Sequence, residues 1–274
     1  MLGWPEELEL TRMLLKMLLA AGLIYAGFAI YAGFFADSLI FQPHRSSYRD
    51  GPEIIKITSA NAARISALYL PNPAARYTLL VSHGNAEDLG DDRYWLSDLR
   101  AAGFSVFAYD YQGYGTSQGR PTEANAYADE FAAYDYLALN LATPPDRIII
   151  FGRSVGSGPA VRLAARRPSA GLVLQSPFLS AFRVLTRIPL LPFDRFPNYK
   201  TIQHVHCPVL IMHGTGDKVI GMRHGEELFK LANEPKQFIA VPGADHNDSD
   251  PRTTRAYSRA VARFASSLQS GSVP

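Results

Sequence analysis

The pentapeptide Gly152-Arg153-Ser154-Val155-Gly156 has the G-x-S-x-G spacing that presents a serine for nucleophilic attack. An apolar, β-branched run at 148–151 precedes it, and apolar residues at helical spacing follow it to Arg167. The pattern predicts a buried strand, an abrupt turn and a helix, with Ser154 at the corner. Such a turn lifts the serine Oγ clear of the sheet and points free N–H groups at an anion beside it. We therefore predict that Ser154 is a nucleophile; the alternative is a tight turn without chemistry.

A second G-x-S-x-G match, Gly115-Thr116-Ser117-Gln118-Gly119, shows that the spacing alone is weak evidence. The strand-like run at 104–109 has ended before this match, and Arg120 and Pro121 after it do not continue a helix. We therefore predict that Ser117 lies in a loop.

A serine hydroxyl needs a base to take its proton and a third group to orient that base. The chain has seven histidines: His44, His83, His204, His206, His213, His224 and His246. His83 and His213 precede glycines at predicted strand ends, which indicates loop-shaping hydrogen bonds, and those at 204, 206 and 224 lack a strand-end position. His246 lies between the last predicted strand and the last predicted helix. We predict His246 as the base; the alternative is a surface loop histidine.

Four aspartates are candidates for the orienting acid: Asp217, Asp245, Asp248 and Asp250. Asp217 follows the predicted strand at 209–212, and Gly214 and Gly216 before it permit sharp turns. Asp245 adjoins His246, and adjacent side chains usually diverge. The order serine, acid, histidine favours Asp217, because open parallel sheets with this kind of serine turn use that order. The alternative for Asp217 is a helix cap near Met222.

Two N–H donors are needed to stabilise the oxyanion that forms when a serine attacks a carbonyl. We predict that one is the N–H of Val155, directly after the serine. The second is expected from the loop after the first deeply buried strand, at 77–82, and we assign it to Asn85, with Ala86 as the neighbouring alternative.

Strands that alternate with helices predict a mostly parallel sheet flanked by helices, with a hairpin of 54–57 and 65–70 at its start. In such sheets the reactive groups gather beyond the carboxyl ends of the strands. Ser154, the His83 loop, Asp217 and His246 each follow a predicted strand, and this shared placement is the main argument for one site.

The bulk composition fits a globular protein of 274 residues, with 47% hydrophobic and 19% charged residues. The net charge of +2 gives no case for nucleic-acid binding. The single cysteine, Cys207, excludes an internal disulfide and a cysteine-based metal site. We predict neither a metal nor a cofactor.

Residues 17–36 carry no charge and are long enough, as a helix, to cross the hydrocarbon core of a bilayer. A signal peptide is the main alternative, but Phe34 occupies the −3 position for cleavage after Ala36, where a small residue is needed. A buried core helix is the other alternative. We predict a single-pass membrane anchor with a linker at 1–42, and a catalytic domain at 43–270.

The side of the membrane on which the domain lies depends on the charges that flank the span. Arg12 and Lys16 precede it, which favours an inside N-terminus and an extracytoplasmic domain. Arg45 and Arg49 follow it at a greater distance and weaken this preference.

The chain resembles the α/β-hydrolase superfamily, and within it is similar to membrane-associated serine hydrolases that include the eukaryotic α/β-hydrolase-domain protein depalmitoylases and their bacterial relatives. The resemblance is carried by SHGNAEDLG at 82–90, YDYQGYGTSQG at 109–119, GRSVG at 152–156, FDRFPNYKTI at 193–202, HGTGDKVI at 213–220 and GADHND at 243–248. It implies the α/β-hydrolase fold, with Ser154, Asp217 and His246 as the catalytic triad. Those depalmitoylases attach through a cysteine-rich, lipidated N-terminus, whereas this chain has no cysteine before Cys207, which favours the transmembrane anchor.

The segment at 179–207 is apolar and carries several basic residues, and it is too short for a large independent lid domain. We predict a short cap in which Phe178, Phe182 and Leu185 contact an acyl chain while basic residues face anionic lipid headgroups. A cap that only covers the sheet edge is the alternative.

The sequence therefore predicts a membrane-anchored serine hydrolase that cleaves small-molecule acyl ester or lipid substrates, or thioesters, through an acyl-enzyme. A serine peptidase with the same triad is one alternative. A catalytically silent protein that uses the fold for interactions is another, since fold alone does not imply function. The complete set of serine, acid and histidine argues against the silent protein.

Overall fold

The structure is a computed structural model that describes residues 4–186, 190–248 and 250–270. Residues 187–189 of the predicted cap lie outside the described residues. The chain divides into two compact units, Met1–Leu39 and Ile40–Pro274. The division falls three residues before the predicted boundary at 42, so Ile40, Phe41 and Gln42 belong to the same unit as the catalytic candidates.

The first unit contains helix α1, Trp4–Ile40, of 37 residues, except for its last residue. Within its segment Leu8–Ile40, an 18-residue stretch reaches a mean hydropathy of 2.0. The segment is long and apolar enough to cross a membrane, although a signal sequence meets the same criterion. Its large apolar side chains, such as Leu18 and Ile24, are exposed. This exposure is unlike that of the core helix of a globular protein.

The second unit is built on an eight-stranded sheet in the order β1-β2-β4-β3-β5-β6-β7-β8. The strands are β1 Ile54–Thr58, β2 Arg64–Leu70, β3 Thr78–Ser82, β4 Ser105–Tyr109, β5 Ile148–Arg153, β6 Gly171–Gln175, β7 Val209–Gly214 and β8 Lys236–Val241. Strands β1 and β2 form the predicted hairpin, with Ile54 opposite Leu68, and β2 also pairs antiparallel with β4. The other five pairings are parallel, so the prediction of a mostly parallel sheet is confirmed.

The central strands are buried on both faces because helices cover each side of the sheet. In β5, Ile148 and Ile150 face one hydrophobic cluster, while Ile149 and Phe151 face the other. This alternation is the two-residue period of a strand, and it explains the unbroken apolar run that precedes Ser154.

The helices that flank the sheet follow the predicted alternation. They are α2 Arg93–Ala101, α3 Glu123–Asp135, α4 Ser157–Ala164, α7 Arg223–Leu231 and α8 Pro251–Ser270, and a π-helical turn, Tyr136–Asn140, continues α3. Helices α2 and α8 cover one face, and α3, α4 and α7 the other. The cap contains two short helices, α5 Ala181–Thr186 and α6 Asn198–Thr201.

Candidate active site

Ser154 occupies the predicted corner between β5 and α4, at the start of a single 3-10 turn, Ser154–Gly156. Its φ is +52°, a left-handed conformation that is strained for a residue with a side chain. Both glycines of the pentapeptide are needed for close packing. A Cβ on Gly156 would lie 2.2 Å from the Ser82 carbonyl oxygen, and one on Gly152 would lie 2.5 Å from the Gly156 carbonyl oxygen. The turn therefore packs directly on the end of β3.

The structure brings the three predicted triad residues together from distant parts of the chain. Ser154 Oγ lies 2.9 Å from His246 Nε2, and His246 Nδ1 lies 2.8 Å from Asp217 Oδ2. These are hydrogen-bonding distances, and they join the serine to the base and the base to the acid. With Nδ1–H donating to the carboxylate, Nε2 is free to accept the serine proton. The catalytic roles remain predictions.

The Asp217 carboxylate is fixed by its own loop. Oδ1 accepts hydrogen bonds from the N–H groups of Val219, at 3.0 Å, and Ile220, at 2.7 Å. Burial alone would raise its pKa, but His213, His246 and the Ile220 N–H together hold the pKa of the Asp217 carboxyl below its usual range. The carboxylate therefore stays ionised opposite His246. It does not serve as the cap of α7, whose N-cap residue is Met222.

The alternative acid, Asp245, has a different role. Its Oδ1 accepts the backbone N–H groups of His246, at 2.7 Å, and Lys218, at 3.1 Å. It therefore shapes the loop that carries His246. The other two aspartates bind at the start of α8: Asp248 accepts the Thr253 hydroxyl at 3.0 Å and Asp250 pairs with Arg252 at 2.8 Å.

Of the predicted oxyanion donors, Val155 follows Ser154 in the 3-10 turn, where its N–H has no intrahelical partner to bind. The side chain of Asn85 is engaged elsewhere, because Nδ2 donates to the Ile40 carbonyl at 3.1 Å. Its own carbonyl accepts the Gln42 N–H at 3.1 Å and the Tyr114 hydroxyl at 2.7 Å. The Asn85 side-chain amide is therefore engaged away from Ser154, and the role of the Asn85 backbone N–H as an oxyanion donor remains a prediction.

The Glu87 carboxylate joins the loop after β3 to the residue before Ser154. Oε1 accepts the Gly84 N–H at 3.0 Å, and Oε2 accepts a hydrogen bond of 2.7 Å from Arg153 Nη1. The Arg153 guanidinium also stacks on the Trp95 ring, 5.5 Å from its centre. Burial would raise the Glu87 pKa, but Arg153 holds the pKa of this carboxyl below its usual range. Beside it, burial and the Glu87 charge raise the pKa of Asp92.

The sequence analysis assigned no role to Glu87 or Arg153. The sequence does place a charged residue, Arg153, between a buried strand and the predicted nucleophile. Since a charge in such a place needs a partner, this position indicates an ion pair. No pattern in the sequence identifies that partner among the acids of the loop after β3.

His83 shapes this loop, as predicted. Its Nδ1 lies 2.7 Å from the Gly84 carbonyl oxygen, and its Nε2 lies 3.3 Å from Asp110 Oδ1. The Asp110 carboxylate also binds the Tyr48 hydroxyl. The segment after Gln42 is therefore packed against the loop through Tyr48.

Ser117 lies in a loop, as predicted. Its Oγ accepts the Ser66 N–H at 2.8 Å and donates to the Asp110 carbonyl at 3.0 Å. Both contacts hold the loop against β2 and the end of β4, and this gives Ser117 a structural role.

The three residues predicted to contact an acyl chain have different surroundings. Phe178 is buried, with its ring 6.3 Å from that of Phe196. Phe182 is half-buried and packs edge-on against Phe193 at 6.0 Å. Leu185 on α5 is 81% exposed. The three side chains therefore differ in exposure, and their contact with an acyl chain remains a prediction.

Among the residues that the structure describes, His44, Asp88 and Asp91 have potential metal-ligand atoms within 4.8 Å of one another. These atoms already have protein partners. His44 Nδ1 binds the Arg45 carbonyl at 2.7 Å and Nε2 binds Asp91 at 2.9 Å, while Asp88 accepts the Ser47 N–H at 2.8 Å. The cluster closes the loop after β3 through these bonds.

The amino-acid sequence of this chain is similar to those of known hydrolase-fold proteins. Residues 73–192 match the family described as serine aminopeptidase, S33. The chain is 41% identical over 209 residues to human alpha/beta hydrolase domain-containing protein 17B, covering 75% of this chain and 73% of that protein. It is 42% identical over 184 residues to alpha/beta hydrolase domain-containing protein aho-3 of Caenorhabditis elegans, covering 65% of this chain and 54% of that protein.

Two solved structures illustrate the fold. The esterase PF2001 of Pyrococcus furiosus superposes with a TM-score of 0.68 at 16% identity, covering 84% of this chain and 98% of that one. Est1E of Butyrivibrio proteoclasticus, solved with ferulic acid, gives a TM-score of 0.66 at 18% identity, covering 79% and 99%. These similarities confirm the predicted fold, and at these identities they bear on fold alone.

Proposed function

We propose that this chain, which belongs to the α/β-hydrolase superfamily and is a hydrolase, is a membrane-anchored serine enzyme that cleaves acyl ester or thioester bonds. The observation that carries the proposal is the pair of contacts from Ser154 Oγ to His246 Nε2, at 2.9 Å, and from His246 Nδ1 to Asp217, at 2.8 Å. The left-handed backbone of Ser154 supports the same assignment.

In the proposed reaction, Ser154 Oγ attacks the carbonyl carbon of the ester as His246 Nε2 takes its proton. Asp217 holds the imidazole in the required tautomer and stabilises its positive charge. The oxygen of the tetrahedral intermediate accepts hydrogen bonds from the N–H groups of Val155 and Asn85.

Collapse of the intermediate breaks the ester bond, and the leaving alcohol or thiol takes the proton from His246. The acyl group stays on Ser154. Water then attacks this acyl-enzyme as His246 takes the water proton, and the acid product leaves with Ser154 restored.

The membrane part of the proposal is supported by Leu8–Ile40, which can span a bilayer. The charges that flank the span favour an extracytoplasmic domain. An acyl substrate is supported by the cap, where Leu185 and Leu190 are exposed and Phe182 is half-buried. Exposed apolar side chains on a cap are suited to a lipid or acyl chain.

A second candidate activity is peptide-bond hydrolysis. The observation in its favour is the match of residues 73–192 to a family described as serine aminopeptidase. The same triad would serve this reaction, because acyl transfer from an amide passes through the same acyl-serine.

The test uses full-length protein in detergent, with Ser154→Ala as the control. Wild-type protein is treated with a fluorophosphonate probe, then assayed on p-nitrophenyl esters of increasing acyl length, the matching acyl thioesters and aminoacyl p-nitroanilides. We expect labelling, ester and thioester turnover, and no p-nitroanilide release. Labelling with p-nitroanilide release alone would favour the peptidase, and the absence of both labelling and turnover would overturn the proposal.

A further inference from the structure

The chain that leaves α1 binds directly to the loop that carries the proposed oxyanion donor. The last helical residue, Ile40, offers its carbonyl to Asn85 Nδ2 at 3.1 Å. Two residues later, the Gln42 N–H donates to the Asn85 carbonyl at 3.1 Å. We call Ile40–Gln42 the exit segment. It holds Asn85 by both its side chain and its backbone.

The Tyr114 hydroxyl completes this arrangement. It donates to the Asn85 carbonyl at 2.7 Å and accepts the Gln42 N–H at 3.0 Å. The Asn85 carbonyl therefore has two donors. Tyr114 is almost fully buried, so water does not compete strongly for this contact.

These bonds fix the orientation of the peptide plane between Asn85 and Ala86. This plane lies in the loop after β3, which we call the oxyanion loop. A trans peptide directs its N–H opposite its carbonyl, so a carbonyl held by Gln42 and Tyr114 turns the Ala86 N–H away from the exit segment. The preceding plane is held in the same way, because His83 Nδ1 lies 2.7 Å from the Gly84 carbonyl and the Asn85 N–H points opposite to it. The exit segment and Tyr114 therefore hold the peptide plane that follows Asn85, and His83 holds the plane that precedes it. Together these contacts fix the residue whose N–H is the proposed donor.

Phe41 anchors the exit segment between the two bonded residues. Its side chain is 3% exposed, and its ring lies 6.1 Å from Tyr111, 6.3 Å from Tyr114 and 5.9 Å from Phe196. Phe196 belongs to the cap, so Phe41 packs against the cap as well as against the tyrosines behind the loop. Such edge-to-face packing restricts movement of the segment.

We propose that the exit segment and Tyr114 are positioning elements for the oxyanion loop. This inference rests on the proposed function, since it concerns the intermediate formed at Ser154. The point where the chain leaves the proposed membrane span is then part of the catalytic apparatus. The loop keeps its productive shape only while Ile40–Gln42 is seated.

The test compares two buried tyrosines in full-length protein in detergent. Tyr114→Phe removes the hydroxyl that donates to the Asn85 carbonyl. Tyr134→Phe removes a matched hydroxyl, which donates to the Pro168 carbonyl at 2.7 Å and touches no proposed catalytic residue. Each variant is assayed for kcat and KM on p-nitrophenyl butyrate and for inhibition by an aryl trifluoromethyl ketone, whose adduct with a serine carries an oxyanion.

We expect Tyr114→Phe to lower kcat and the affinity for the ketone about tenfold each with KM little changed, because only transition-state stabilisation is weakened. Tyr134→Phe should behave as wild type. Phe41→Ala should lower kcat like Tyr114→Phe, and Phe41→Leu should restore part of the loss.

The outcomes separate this inference from the proposed function. Wild-type protein without turnover or labelling would refute the serine hydrolase itself. An active wild type, with Tyr114→Phe and Phe41→Ala unchanged in kcat and ketone affinity, would overturn only the positioning role. Equal losses in Tyr114→Phe and Tyr134→Phe would overturn it as well, because the effect would then be a general loss of packing.

Discussion

Glu87 Oε2 accepts a hydrogen bond of 2.7 Å from Arg153 Nη1, while the other oxygen of the same carboxylate accepts the Gly84 N–H. Arg153 directly precedes Ser154, and Gly84 directly precedes Asn85. One half-buried carboxylate therefore connects the two chain segments that we expect to supply the oxyanion donors. The connection fixes the distance between them, and that distance decides how well two N–H groups bind one oxygen.

Glu87→Gln should lower kcat for p-nitrophenyl butyrate about tenfold, because loss of the charged partner leaves the half-buried Arg153 beside a neutral amide and loosens the connection. Thermal unfolding should occur at a lower temperature for the same reason. The matched control is Glu53→Gln, which removes a half-exposed carboxylate that pairs with Arg93 at 3.4 Å. An unchanged kcat in Glu87→Gln would show that the ion pair does not position the site.

Ser154→Ala should abolish both fluorophosphonate labelling and ester turnover, since it removes the proposed nucleophile. Ser117→Ala is the matched control, because Ser117 lies in the second G-x-S-x-G match and its Oγ bonds to the backbone of Ser66 in β2 and of Asp110 after β4. It should retain both activities. Labelling that persists in Ser154→Ala would disprove the assignment of the nucleophile.

His246→Ala and Asp217→Asn should each reduce kcat by about three or more orders of magnitude. Adding either change to Ser154→Ala should have little further effect, because triad residues act as one unit. Asp245→Asn should stay close to wild type, since Asp245 binds backbone N–H groups of the loop. Loss of activity in Asp245→Asn with full activity in Asp217→Asn would reverse the assignment of the acid.

The sequence was sufficient for features that depend on local patterns and on chain order. The apolar run before Ser154 predicted β5, and the placement of Asp217 and His246 after later strands predicted which side chains would meet. These inferences succeed because parallel strands carry their carboxyl ends to one edge of the sheet, wherever the strands lie in the sequence.

The sequence was insufficient for contacts that join distant segments without a periodic signal. Glu87 and Arg153 are 66 residues apart, and Tyr114 is 72 residues from Gln42. Many acids were available to Arg153, and no pattern indicates which one folding places beside it. The exit segment was predicted as linker because three residues after an apolar helix carry too little information to reveal a buried aromatic such as Phe41.

The stability of the second unit, Ile40–Pro274, should depend on pH through the carboxyl group of Glu130. Burial raises the pKa of this carboxyl from 4.5 to about 7, although the Ser82 and Tyr109 hydroxyls oppose the shift. A pKa raised on folding means that the neutral acid is favoured in the folded state. Its contribution to stability is therefore complete below pH 4.5 and is lost as pH rises to about 7, a change of about 3 kcal/mol.

Glu130→Gln should remove this dependence, because a neutral amide can accept the same two hydroxyls. We expect the free energy of unfolding to fall less between pH 5 and pH 8 in this variant than in wild type. The measurement is urea unfolding of protein that lacks residues 1–36. Glu234→Gln, at an exposed carboxylate, is the control and should leave the pH profile of wild type. A Glu130→Gln profile parallel to that of wild type would contradict the prediction.

The last prediction distinguishes the membrane span from the exit segment. Deletion of residues 1–36 should release a soluble enzyme that hydrolyses p-nitrophenyl butyrate at nearly the full-length rate, because each proposed catalytic group lies after residue 80 and Ile40–Gln42 is retained. Its activity on a lipid ester in vesicles should fall much further, since the anchor no longer concentrates the enzyme at the bilayer.

Deletion of residues 1–42 also removes the exit segment that holds Asn85, and it should lower kcat on the small ester as well, by about tenfold. Carbonate extraction that leaves full-length protein in the soluble fraction would refute the anchor. A 1–36 deletion that aggregates and binds a hydrophobic dye would assign the span to the folded core, and equal kcat in the two deletions would remove the exit segment from catalysis.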